Sequence, residues 1–297
     1  MTKLEDFLRP TQNQLFKRIC KHFKGKTLVS RGNFVLVRGT APIMLVAHLD
    51  TVHEQPVKDI CATADGNILM SPQGIGGDDR CGVCALVKVH HTAQVKPWLL
   101  FTCDEEVGGI GAQVFADSFA QGRLPAEMDS LKCLIEIDRR GAKDAVFYDS
   151  YNPDFEDYIT GKGFQTAFGS FSDISVIAPA LDVAAVNLSA GYYNAHRLDE
   201  YIVRLELEHT IQKVIEIVAD STRADFPRFE YDTGGYHGGW WQEESITIPN
   251  DLPDDLREIY EELRLVYTAE QLDNVRLQYG NRILWQLYFD EFGYFSR

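Results

Sequence analysis

The sequence predicts an α/β domain of three layers (α/β/α), in which a mostly parallel mixed central sheet is covered by helices on both faces. Three observations point there. Short apolar, β-branched runs alternate with segments of helical period over roughly the first 220 residues. The runs are apolar at consecutive rather than alternate positions, which marks strands buried on both faces. Polar residues suited to chemistry stand just past the ends of these runs, at the carboxyl edge where open α/β sheets build their sites.

The elements follow in order. Leu4, Phe7, Leu8, Leu15, Ile19 and Phe23 predict a helix over 3–24. Strands are expected at 34–38, 42–48 and 67–71, a helix at 80–92, a strand at 97–103 and a helix at 110–120. Strands at 132–138 and 145–149, a helix near 172–180, a strand at 183–189 and a helix at 200–220 complete the domain. After about residue 222 the composition changes: 228–241 is rich in glycine and aromatic residues, and acidic helical stretches follow at 254–267 and 269–290. The expected organisation is a catalytic domain over 1–222 and an aromatic, acidic, mainly helical extension over 223–297 that packs on the domain or on a partner.

Composition narrows the classes of function. Acidic residues outnumber basic ones 44 to 29, a net charge of -15, which argues against nucleic acid and anionic membrane surfaces as partners. No stretch approaches the roughly 18 apolar residues of a membrane span, and the first residues carry no apolar signal core. The expected compartment is the cytoplasm. Six cysteines, mostly inside apolar runs, read as reduced core residues. Cys81 and Cys84 form a lone CxxC without a second pair, and packing at a helix start accounts for them better than redox or zinc-knuckle chemistry.

The chemistry lies in five short segments: His48-Leu49-Asp50, Asp78-Asp79-Arg80, Glu105-Glu106, Asp138 and His196. Together they hold nitrogen and oxygen ligands for two divalent metals, with one carboxylate left over as a base. His48 and Asp50 alternate at a strand end, so Asp50 can accept from one imidazole nitrogen while the other binds metal. Asp78 follows a glycine-rich turn that has no phosphate-loop register, and its place suits a carboxylate bridging two cations. Asp104, Glu105 and Glu106 gather like charges after a buried strand, a costly arrangement unless cations neutralise them. One glutamate can ligate while its neighbour faces the bound water, and spacing alone does not choose between them. Asp138 ends an apolar strand; Arg139 and Arg140 after it can pair with nearby acids or with a substrate carboxylate. His196 lies on a loop that can reach back over the sheet. Each segment has an ordinary alternative: a core histidine, an N-capping aspartate pair, a solvated acidic turn. Their joint occurrence in this order favours a metal centre. His53 reads as an ordinary loop histidine, and His22, His90, His91, His209 and His237 lack carboxylate neighbours in such an arrangement and read as bland.

The motifs HLDTV (48–52), GGDDRCG (76–82), TCDEEVGGIGA (102–112), EIDRRG (136–141) and SAGYYNAHRLDEYI (189–202) resemble the co-catalytic zinc exopeptidase superfamily. That superfamily includes peptidase T, glutamate carboxypeptidase and the bacterial leucyl aminopeptidases. The resemblance covers about 30–220 and implies the zinc-exopeptidase (phosphorylase/hydrolase-like) fold. It implies that His48, Asp78 and Asp138 bind one zinc, that Asp78, Glu106 and His196 bind the other, that Glu105 is the general base and that Asp50 orients His48. Ser170 to Asp173 resembles a turn that lines the substrate pocket in some members. Only the residues from 139 to 195 separate Asp138 from His196, too few for the lid or dimerisation domain inserted there in peptidase T. The catalytic body is therefore expected as one domain without a lid, with the extension as a candidate cap.

The implied reaction is hydrolysis of an amide bond in a small peptide by a water that two zincs activate, with Glu105 moving the proton. The same core serves recognition of a free amino terminus, of a free carboxyl terminus, or removal of an acyl group from an N-acyl amino acid. An aminopeptidase is the first expectation, a deacylase the second, and a non-catalytic metal-binding or interaction protein the third. A homo-oligomer is compatible with the sequence.

Overall fold

The computed structural model describes residues 3–148, 150–169, 171–232, 252–263, 267, 269–281, 283–284 and 287–288. The chain divides into two units, Met1–Gly235 and Tyr236–Arg297. The expected glycine and aromatic loop lies outside the described residues from 233 onward, as does Ser170.

The predicted N-terminal helix is two helices, α1 (Glu5–Leu8) and α2 (Gln12–His22). Pro10 cannot donate to a helical turn, and Thr11 with Gln14 forms a capping box that restarts the helix. Then come β1 (Thr27–Ser30), β2 (Phe34–Val37), β3 (Ile43–His48), β4 (Cys61–Ala62), β5 (Ile68–Met70), α3 (Gly77–Thr92), β6 (Trp98–Thr102), α4 (Ile110–Ala120), β7 (Cys133–Arg139), β8 (Asp144–Val146) and α5 (Pro153–Gly161). β9 (Gln165–Thr166), α6 (Asp173–Leu181), β10 (Ala185–Ser189), β11 (Tyr192–Tyr193), β12 (Tyr201–Val203) and α7 (Arg204–Ser221) complete the first unit. The helix expected from residue 200 begins at Arg204, because 201–203 pair as a strand with β5. Strands β1, β4, β9, β11 and β12 were not predicted; each is two to four residues long, too short to show a period.

Eight strands form one mixed sheet in the order β1-β2-β6-β3-β7-β10-β8-β9, and four form a small antiparallel sheet, β11-β12-β5-β4. The four inner strands β6, β3, β7 and β10 are mutually parallel. Alternate side chains along them feed two cores. Leu45, Leu99, Ile135 and Val186 pack with residues of α2, α3, α5 and α7 on one face, while Met44, Leu100, Leu134 and Ala185 pack with α4 and α6 on the other. Both faces are covered, which is why these strands read as continuous apolar runs. The stretch after α7 also belongs to this unit: Phe226 and Phe229 are buried, and Phe229 packs on Phe155 with ring centroids 4.9 Å apart.

Cys81, Cys84, Cys103 and Cys133 are buried, Cys20 is half-buried and Cys61 exposed, and all six are free. No helix among the described residues is long and apolar enough to cross a membrane. The second unit has two described helices, α8 (Asp254–Leu263) and α9 (Ala269–Tyr279), whose Leu256, Ile259, Tyr260, Leu263 and Leu272 form an apolar cluster of their own.

Candidate metal centre

β6, β3 and β7 are adjacent and parallel, so their carboxyl ends place Glu105 and Glu106, His48 and Asp138 side by side. His48 is the last residue of β3, and its ring is almost wholly buried. Its Nδ1 lies 3.2 Å from Asp50 Oδ1 and its Nε2 3.1 Å from Asp78 Oδ1. With the Nδ1 proton donated to Asp50, the Nε2 lone pair is turned towards the other carboxylates. Asp50 uses its second oxygen to accept from the Glu106 amide at 3.0 Å, which ties the β3 and β6 loops together.

Asp78 enters α3 through a turn in which Gly76 takes a left-handed conformation (φ 63°), and Asp78 and Asp79 depart from helical dihedrals. Glu200, fully buried, accepts from the amides of Gly76 at 2.8 Å and Asp78 at 3.0 Å. His53 Nε2 lies 2.9 Å from the same carboxylate. The carboxylate of Asp78 is thus presented between two imidazoles. Its Oδ1 faces His48 and its Oδ2 lies 3.2 Å from His196 Nε2. Asp79 also comes within ligand reach of His48 and Asp138. Its oxygens, however, accept from the His48 amide at 3.3 Å and the Gly82 amide at 2.8 Å, so it serves the backbone.

Asp138 Oδ1 stands 3.6 Å from His48 Nε2. Asn187 accepts from the Asp138 amide at 2.8 Å and donates to its carbonyl, while Tyr192 OH donates to that carbonyl and to Oδ1. His196, on the loop between β11 and β12, has φ 65° and a half-exposed side chain; its Nε2 lies 3.0 Å from Glu106 Oε2. Glu105 Oε2 is 4.0 Å from His48 Nε2. His48, Asp50, Asp78, Glu105, Glu106, Asp138 and His196 therefore lie close together: Asp78 stands between His48, which also faces Asp138, and His196, which also faces Glu106. Among the described residues, the sets whose ligand atoms all lie within 4.8 Å of one another are His48, Asp78 and Glu106, and His48, Asp79 and Asp138.

The electrostatics suit cations. Burial pushes the Asp138 carboxyl up to about 8, with Asp78 adding repulsion and His48 opposing it. Burial raises Glu105 to about 9 against the pull of His48, with Asp138, Asp173 and Asp78 reinforcing the rise. Burial would also raise Asp78, but hydrogen bonds to His196 and His48 hold it below the usual carboxylate range. Hydrogen bonds to Asp78 and Glu106 lift His196 to about 11, and burial opposes a charge on His48 while Asp138 and Asp50 keep it well above the histidine range. Glu106 Oε1 is buried without a hydrogen-bond partner among the described residues. Too many acids with too few donors, in a shape of imidazole nitrogens and carboxylate oxygens, fits divalent cations in place of those protons.

Other residues sort differently. His53, read as an ordinary loop histidine in the sequence, buttresses the Asp78 turn through Glu200, a contact 147 residues away that no local pattern signals. Glu200, Asn187 and Tyr192 were likewise missed as supports. Arg139 donates to the Phe168 carbonyl at 2.9 Å and faces Asp144 at 3.6 Å. Asp173 is buried beneath the site, accepting from Thr102, and Ser172 donates to the buried Glu136. His22, His90 and His91 gather around Phe23 by themselves.

No protein-family model matches the chain, and no curated protein sequence matches it. Solved structures do. The chain is similar to aminopeptidase PepT from Bacillus cereus ATCC 10987, at 14% identity over 74% of this chain and 97% of that one, with a TM-score of 0.56. It is similar to a tripeptidase from Staphylococcus aureus subsp. aureus Mu50, at 13% identity over 73% and 96%, with a TM-score of 0.54. The Pyrococcus horikoshii TET1 peptidase matches at 14% identity over 72% and 98%, with a TM-score of 0.55. At such identities the likeness is one of fold, and the chain has the α/β fold of these peptidases, as its motifs imply.

Proposed function

We propose that this protein is a metal-dependent exopeptidase of the aminopeptidase type, hydrolysing amide bonds in small peptides. One observation carries the reading: the two oxygens of Asp78 are divided between His48 and His196, each imidazole with its own further carboxylate. His48, Asp78 and Asp138 would hold one divalent ion and Asp78, Glu106 and His196 a second, zinc before others for this mixture of nitrogen and oxygen ligands. Bound there, the pair supplies the Lewis acidity that polarises a scissile carbonyl and makes water acidic enough to lose its proton near neutrality.

The chain's own residues do the rest. Glu105, beside both groups but in neither, takes the proton of the attacking water and delivers it to the leaving amine. Asp50 fixes the ring of His48 and the amide of Glu106, so one side chain aligns ligands on two loops. Asn187 and Tyr192 do the same for Asp138. Aminopeptidase type is favoured because solved structures of this fold include an aminopeptidase PepT and a tripeptidase. A TET1 peptidase of the same fold assembles into a tetrahedron or a large octahedral shell, which supports self-association here. Unpaired buried thiols fit a reducing cytoplasm.

The test is metal analysis of the purified chain, followed by a screen of aminoacyl and N-acyl chromogenic substrates with and without chelator. Chelator-sensitive release from aminoacyl substrates supports the proposal. Release from N-acyl substrates alone converts it to a deacylase, and bound metal without turnover on either to a binding protein.

A further inference from the structure

The N-terminal segment reaches the proposed site from outside the sheet. Gln12, the first residue of α2, meets Asp104 twice: its Nε2 donates to Asp104 Oδ1 at 2.8 Å, and its Oε1 accepts from the Asp104 amide at 3.2 Å. Asp104 has φ 59°, a left-handed conformation uncommon for a side-chain-bearing residue and one that persists where surroundings over-determine it. That turn redirects the chain from the end of β6 so that the next residue, Glu105, lies beside His48. The Asp104 carbonyl accepts from the Ile110 amide at 3.1 Å, closing the loop onto α4.

The anchor is packed and capped. Leu15 and Ile19 bury α2 in the core, and the capping box fixes its first turn at Gln12. The same segment holds the other acidic turn, since Arg80, buried two residues past Asp78, donates to the carbonyls of Phe7 at 3.2 Å and Pro10 at 2.9 Å.

We propose that Gln12 is a positioning residue for the general base, holding Asp104 in the left-handed turn that aims Glu105; this rests on the reading of Glu105 as base. Gln12 itself touches none of the groups around Asp78. Its loss therefore acts on turnover, because the next residue after Glu105, Glu106, keeps its own anchors, its amide on Asp50 and its carboxylate on His196, and with them the metal.

The experiment compares full-length wild type, Gln12→Ala, Asp104→Ala, the double variant and Asp104→Asn, with the exposed neighbour Asn13→Ala as control. Turnover of leucine p-nitroanilide with zinc, bound metal, and amide hydrogen exchange over 104–111 in the metal-free protein are measured. Gln12→Ala is expected to lower kcat about tenfold or more, the scale of a misplaced catalytic group, with KM and metal content within about twofold. Exchange over 104–111 should rise while that of α2 stays. The double variant should lose no more than the worse single one, and Asp104→Asn, which keeps the acceptor for Gln12, should retain most turnover. A kcat for Gln12→Ala within about twofold of wild type, or unchanged exchange over 104–111, overturns the proposal. Absence of turnover in wild type with zinc, manganese and cobalt defeats the peptidase reading separately, and the exchange arm then decides alone whether Gln12 braces the loop.

Discussion

Replacing Asp78 by Asn tests the arrangement at the point where both groups meet. The carboxylate gives one oxygen to each imidazole, and an amide keeps a single acceptor while turning an NH2 towards the other ring. Asp138→Asn, by contrast, weakens only the group around His48. With zinc at about 100 times its Kd, each ion stabilises the folded chain by about 2.7 kcal/mol. Two ions then contribute about 5 kcal/mol, a rise of roughly 10–20 °C in Tm for a domain of this size. Wild type should show that rise and about two ions after dialysis; Asp138→Asn should keep about one ion and half of the rise, and Asp78→Asn neither. Scanning fluorimetry with and without zinc, paired with elemental analysis, reads both quantities. If Asp78→Asn retained two ions and the full shift, or if Asp138→Asn lost both as completely, a shared Asp78 would be refuted.

Three further outcomes follow from the same geometry. Glu105→Gln should bind metal as wild type does and lose about 10²–10⁴-fold in kcat, the usual share of proton transfer, in assays of the zinc-loaded chain. His90 is buried with both ring nitrogens unpartnered among the described residues, and burial, helped by Lys96 and Lys26, holds it down to about 4. Its folded pKa lies below the ordinary 6.5, so its contribution to stability is complete above pH 6.5 and is lost as the pH falls towards 4; urea unfolding across that window should be steeper in pH for wild type than for His90→Leu. Gly82→Ala would bring a Cβ within 2.0 Å of the Ile137 carbonyl and 2.4 Å of the Asp79 carboxylate, forcing α3 off β7, so metal binding and the cooperativity of unfolding should fall together in titration and melting experiments.

Legibility varied with the kind of signal. The inner strands could be read because both faces of each are covered, leaving unbroken apolar runs such as Ile43–Ala47 and Trp98–Phe101. α4 was read to the residue, since a glycine pair precedes it and its buried Ala112, Phe115 and Ala116 fall on one face. Pro10 marks the break between α1 and α2, but apolar spacing runs through it and hides the break from a reading of period alone. The short strands β1, β4, β9, β11 and β12 gave nothing, since two to four residues are too few to show a period, and for β12 the partner β5 also lies far away in the chain.

The order of acids and imidazoles, and their places at strand ends, was determined by the sequence alone, because backbone periodicity is local and a strand end is visible from its own residues. Which oxygen faces which ring was decided only by the fold. The division of Asp78 between His48 and His196, the retirement of Asp79 to backbone amides, and the supports from Glu200, His53, Asn187 and Gln12 all depend on contacts between residues far apart in sequence. Such contacts arise from the packing of whole elements, and side-chain direction at a buried site is fixed by that packing rather than by neighbours along the chain.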